Sequence, residues 1–191
     1  MTRYIDRGAI VAGWVGVGMA ATIATSFLLV IPIEPVYWYL ALPSGLLIGY
    51  YANRRAGRAG AGIRRLLVNG LWAGVVTAVV YAALLLGVKA LFFLADDGYR
   101  DASAGGRISC TPGADCVYQR YLAQGRDADL TSVGVTDAAS FTAFYWNQQL
   151  STAALLALLV VAGGAGGALI FGAANRRPRG STIETGTIAA G

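Results

Sequence analysis

Histidine is absent from all 191 residues, lysine occurs once and cysteine only twice. Without histidine the chain lacks the commonest metal ligand and the usual proton shuttle at neutral pH. Charge of either sign is scarce: 13% of residues are charged, against about 25% in ordinary soluble domains. That deficit, with 56% hydrophobic residues and a mean hydropathy of +0.56, places the chain in the membrane class. Arginine supplies every basic residue but Lys89, and Ala and Gly are abundant. This bias is read as that of a GC-rich bacterial genome in preference to any functional reading. No pattern of catalytic, cofactor-binding or metal-ligating residues emerges.

What is present is a set of four apolar segments. Residues 8–33 and 35–52 carry no charge, residues 66–95 carry only Lys89, and residues 150–174 again carry none. About 20 residues at roughly 1.5 Å each cross a hydrocarbon core, so the first, third and fourth segments are long enough to span with some tilt. The second is shorter and aromatic at both ends. The first far exceeds the roughly 7–15 apolar residues of a cleaved signal peptide, so a retained span is expected. The fold class read from the sequence is an all-α membrane protein, a four-transmembrane-helix bundle. Residues 1–95 hold helices 1–3, residues 96–149 a long loop, residues 150–174 helix 4, and residues 175–191 a disordered tail.

The charges orient this bundle. The amino terminus, the 53–65 loop and the tail collect ten arginines, among them Arg54, Arg55, Arg58, Arg64 and Arg65, against Asp6 and Glu184. The opposite side holds Glu34 and seven aspartates against Arg100, Arg107, Arg120 and Arg126. Cytoplasmic segments are enriched in Lys and Arg, so both termini are expected in the cytoplasm of a cell (plasma) membrane, with 96–149 outside. The stretch GYYANRRAGRAGAGIRR is then mainly an orientation signal. Its arginines also suit anionic headgroups, worth about 1 kcal/mol each near the surface, or an acidic cytosolic partner. A nucleic-acid partner is not expected, because no aromatic side chains interleave the arginines. The glycines do not match a phosphate-binding loop.

Cys110 and Cys116, in CTPGADC, both fall on the outer side, where oxidising conditions favour a disulfide. A structural staple is the expectation; the rival is a redox pair, although the spacing is wider than C-x-x-C and no second pair exists. Asp115 is expected to cap a short helix ending at Gly125, and Asp137 a second helix running into or packing against segment 4. Phe141, Phe144, Tyr145 and Trp146, with Tyr37, Trp38 and Tyr39, read as an interfacial aromatic belt, with a ligand cage as the sharper alternative.

Small residues should hold the spans together, because helices in lipid associate by close backbone approach. Segment 1 places Ala12, Gly16, Ala20 and Ala24 four apart. Segment 4 carries AGGAGGA, with Gly163 and Gly167 on one row and Gly164, Ala168 and Gly172 on the next. These faces are expected to pack with each other or with another subunit, a homo-oligomer or a membrane-protein partner. Pro43 is expected to kink segment 2. Thr77 and Tyr81 share a face of segment 3 and are expected to hydrogen-bond across helices. No acid or arginine lies mid-span, where ion-coupled transport normally needs one. Lys89 is expected to snorkel towards Glu34, Asp96 or Asp97.

The layout resembles that of tetraspanins in outline, but their Cys-Cys-Gly motif is missing and the resemblance implies nothing further. Three functions stay open. The first is a non-enzymatic accessory or scaffold subunit acting through the outer loop and the small-residue faces. The second is a small transporter or channel for an uncharged or lipidic solute. The third is a membrane thiol-disulfide oxidoreductase using Cys110 and Cys116.

Overall fold

The computed structural model describes residues 5–30, 34–57 and 59–175. The described chain is mostly helical. Helix α1 (Arg7–Ala24) continues as a π-helical stretch, Thr25–Val30. Then come α2 (Glu34–Arg55) and α3 (Ile63–Ala95), a hairpin of β1 (Gly98–Asp101) and β2 (Gly106–Ser109), short helices α4 (Ala114–Ala123) and α5 (Asp127–Ser132), and α6 (Ala138–Ala174). Three of these helices, Arg7–Val30 with its π-helical end, Ile63–Ala95 and Ala138–Ala174, are long and apolar enough to cross a membrane, which points to a membrane protein. Their outward faces are apolar as well: Trp14, Val79, Leu94 and Leu158 all lie open on the bundle surface.

The core is built from small residues and a few large ones. Both α1 and α6 pack against α2 and α3. The tandem glycines of α6 explain how one helix serves two neighbours. Adjacent helical positions point about 100° apart, so each Gly-Gly pair offers a flat surface on two sides. An added Cβ on Gly163 would lie 2.6 Å from the Leu42 carbonyl oxygen of α2, while one on Gly164 would lie 2.6 Å from the Gly70 carbonyl oxygen of α3. Gly167 repeats the first contact against Leu46 and Tyr50, and Ala168 meets Gly70. On α1, Ala12 and Ala20 are fully buried, and Gly16 sits directly over the Thr77 side chain of α3. The two small-residue stripes therefore face α2 and α3, not each other, because those helices lie against both.

Several elements differ from their sequence expectations. The hairpin departs from an all-α reading; Asp101 organises its turn by accepting bonds from the Ser103 backbone and hydroxyl. Gly113, at φ 132°, precedes α4, so Asp115 lies in the first turn and does not cap. Asp137 does cap α6, reciprocally with Ser140, and the helix runs unbroken from Ala138. No break therefore separates residue 149 from residue 150: the last helix expected within 96–149 and the fourth apolar segment are one rod. The arginine-rich link is also shorter than 53–65, since α2 extends through Arg55 and α3 begins at Ile63. Pro43 sits inside α2, where it has no N–H to give to the Tyr39 carbonyl. The tail beyond Asn175 lies outside the described residues.

The first turns of α6 rise into a cap with its own core. Phe93, Val117, Leu130, Val135, Phe141 and Tyr145 form its buried cluster. Phe141 is fully buried and its ring meets Tyr118 at 5.4 Å and Tyr121 at 4.9 Å. The Arg120 guanidinium pairs with Asp96, tying α4 to the end of α3.

Candidate functional site

Among the described residues four assemblies stand out along the bundle axis, and the first three join elements distant in sequence. The first lies at the end where α2 gives way to α3. Asp6 precedes α1, but its side chain accepts no capping bond from that helix. Its carboxylate instead reaches α3, accepting from Arg65 Nη2 at 2.9 Å and from Asn69 Nδ2 at 2.8 Å. The Asp6 backbone N–H returns a bond to Asn69 Oδ1 at 3.2 Å. Fully buried Asn53 completes the group, donating to the Leu66 carbonyl at 3.0 Å and to the Gly49 carbonyl at 3.2 Å. One network thus fastens α1, α2 and α3. Its bidentate guanidinium–carboxylate pair, with the shared asparagine bonds, makes this a structural latch.

The second assembly sits midway. Tyr37 donates to the Tyr81 carbonyl at 2.7 Å, and the Tyr81 and Ser44 hydroxyls are 2.8 Å apart. Tyr81 thus bonds across helices as expected, whereas Thr77 returns its hydroxyl to the Ala73 carbonyl of its own helix. A hydroxyl with no partner within reach across the interface takes the i−4 carbonyl, the default for threonine in a helix. Among the described residues no buried side-chain nitrogen or oxygen lacks a partner.

The third assembly is the Lys89–Glu34 ion pair, linking α3 to the start of α2. Arg65 and Lys89 are separated by 24 positions on α3, about 36 Å of helix. The two ion pairs therefore bracket a layer close to the roughly 30 Å of a bilayer's hydrocarbon core. Beside Lys89 is a cavity of about 100 Å³ lined by Phe27, Leu28, Glu34, Val88, Lys89 and Phe92.

The fourth is the cap. Cys110 and Cys116 are bonded, with Cα atoms 5.4 Å apart. Cys116 is fully buried, so thiolate attack could reach only the half-buried Cys110 sulfur. An open cleft of about 500 Å³ separates the hairpin from α4, lined by Tyr99, Asp101, Ser103, Gln119 and Leu122 among others. Hydrogen bonds from Ser103, its hydroxyl first, hold the Asp101 carboxyl below the usual carboxylate range.

The structure brings together few of the residues singled out from sequence. Arg54, Arg55, Arg64 and Arg65 are all exposed around the link between α2 and α3, Arg65 also pairing with Asp6; Arg58 lies outside the described residues. Phe141, Tyr145 and Trp146 do meet, but as core of the cap with Phe93. The latch formed by Asp6, Asn53 and Asn69 was not anticipated. Its signal was an acid among arginines and two asparagines, one in the third apolar segment and one just past the end of the second. Among the described residues no group of three His, Cys, Asp or Glu side chains could hold a metal ion. No family model matches the chain, and neither a curated protein nor a solved structure is significantly similar to it.

Proposed function

We propose that the chain is a four-span protein of the cell membrane, with both termini and the arginine-rich link in the cytoplasm. In this reading α2 is the fourth span, although its composition is less apolar. Supporting it, Asn53 meets Leu66 and Glu34 meets Lys89, so α2 runs beside α3 through the whole layer between the two ion pairs. An antiparallel partner of that length crosses whatever layer α3 crosses.

Its role is that of a non-enzymatic accessory or scaffold subunit whose outer cap meets a partner. One observation carries this reading: α6 touches α2 and α3 backbone to backbone through Gly163, Gly164 and Gly167. Packed cores are bistable at best and do not deform continuously, so helices seated this closely favour a rigid pedestal over a transporter's moving gate. The folded cap is what such a pedestal presents.

The test is purification from native membranes in mild detergent. A partner at fixed stoichiometry, kept by Arg54→Gln and lost by Gln119→Ala in the cap cleft, is the expected result. Solute flux through reconstituted liposomes, with no stoichiometric partner, would instead establish the transporter. Catalysed thiol exchange abolished by Cys110→Ser would establish the oxidoreductase.

A further inference from the structure

The chain's single lysine and the glutamate that opens α2 form an unusual place in this bundle. Lys89 Nζ lies 2.5 Å from Glu34 Oε2. An ammonium has three donors and a carboxylate two acceptor oxygens. Among the described residues neither side chain has a further hydrogen-bond or ion-pair partner, although the charge of Glu34 is felt by Tyr145. Both are partly open, with 24% of the lysine and 41% of the glutamate side chain exposed. Two recesses meet at Glu34. One is the 100 Å³ cavity under Lys89, walled by Leu28, Val88 and Phe92. The other is a shallow surface recess of about 620 Å³ bounded by Glu34, Pro35, Trp38 and Tyr39. The π-helical stretch Thr25–Val30 supplies Phe27 and Leu28 to the first wall, and such stretches occur frequently at functional sites.

We infer that this place binds one zwitterionic phospholipid from the leaflet that faces the cap. The inference rests on the membrane-spanning reading above. Charge complementarity over an apolar wall selects this occupant. A zwitterionic headgroup carries a phosphate and an ammonium a few bonds apart, above two acyl chains. The phosphate takes the two spare Lys89 donors, and the ammonium takes Glu34 Oε1. Tyr39, 79% exposed, and Trp38 at the same rim add ring faces that attract a cation. Acyl chains then lie on Leu28 and Phe92. The cavity has room for about three water volumes at roughly 30 Å³ each, enough for a phosphate and not for a peptide. An anionic headgroup would set its only charge against Glu34 as well as Lys89, so it gains less. This preference is the reverse of what Arg54, Arg55 and Arg64 impose at the opposite end.

Native mass spectrometry of the full chain released from nanodiscs tests the site. Discs of phosphatidylethanolamine, phosphatidylcholine and phosphatidylglycerol are compared. The wild type is expected to keep one ethanolamine or choline lipid through collisional activation and to keep glycerol lipid at least tenfold less. Glu34→Gln/Lys89→Gln, which removes both charges and orphans neither, is expected to lower that retention about tenfold. Tyr39→Ala, at an open position with no fold to upset, should weaken it several-fold, most for choline. Equal retention of all three headgroups by the wild type overturns the inference whether or not the double variant folds. Unchanged retention in a folded double variant also overturns it. Failure of the chain to enter nanodiscs would defeat the membrane reading as well; loss of lipid preference alone would leave that reading standing.

Discussion

Alanine in place of Gly163 is a minimal perturbation with a calculable consequence. The added methyl carbon would lie 2.6 Å from the Leu42 carbonyl oxygen and 2.9 Å from both Gly45 Cα and Leu46 N. Ordinary contact begins near 3.4 Å, so the overlap with the oxygen is about 0.8 Å. All three neighbours are backbone atoms of α2. No rotamer change relieves them, and the two helices must part. Overpacking of this kind costs roughly 1–3 kcal/mol, offset by the roughly 0.5–1 kcal/mol that alanine gains over glycine inside a helix. The control is Gly87→Ala on α3, where nothing lies within 4 Å of the new carbon and only the gain applies. The two variants should therefore differ by about 2 kcal/mol. At roughly 2–4 °C per kcal/mol for a chain of this size, Tm should separate by about 4–8 °C, with Gly163→Ala the lower. Thermal unfolding in detergent, followed by near-ultraviolet circular dichroism, reads this directly. Equal melting of the two variants would refute the claim that tandem glycines set the interhelical distance.

Other consequences follow from the same contacts. Asn69→Leu strips two bonds from the Asp6 carboxylate and backbone, and should cost about 2–3 kcal/mol in the same melt, since a bond to a charged group is worth roughly 1.5–3 kcal/mol. Asn69→Asp should cost more still, because it sets a second carboxylate against the first. Removing the Cys110–Cys116 loop by Cys110→Ser should cost the cap roughly 2 kcal/mol by loop-closure entropy; proteolysis should then cut near residue 113 while the bundle melts unchanged. The Asp137 carboxyl is held below the usual carboxylate range, first by the Ser140 backbone N–H and then by the Ser140 hydroxyl. Its contribution is thus complete above the unfolded value near 4 and is lost as pH falls through the lower folded value. The stability difference between wild type and Asp137→Asn should be flat from pH 8 to 5 and shrink in more acid solution.

Legibility in the sequence followed what is local and periodic. Uncharged runs, the Asp137 cap and the four-residue spacing of Gly163 and Gly167 are properties of one helix, and each can be read without knowing its neighbours. Which neighbour a stripe meets is a tertiary fact. Gly164 against Gly70, and Gly16 over Thr77, depend on where α3 passes. Lys89 was legible because a lone cation near a helix end has few acids within reach, and Glu34 is one of them. Asp6 was not, because an acid among arginines reads as surface; its role emerges only when Asn69 and Arg65, far along the chain, arrive beside it. The hairpin escaped because strands of four residues carry too little alternation to distinguish them from loop.

The orientation of the bundle is the claim on which the cap's exposure and the lipid site both depend. Because Cys110 and Cys116 are bonded, the chain offers no free thiol of its own, and single cysteines can be introduced into the natural sequence. Intact cells carrying Asp129→Cys in the cap or Ala59→Cys in the arginine-rich link are treated with a membrane-impermeant maleimide. Position 129 should label at once and position 59 only after permeabilisation. Labelling of position 59 in intact cells with protection of position 129 would contradict the account.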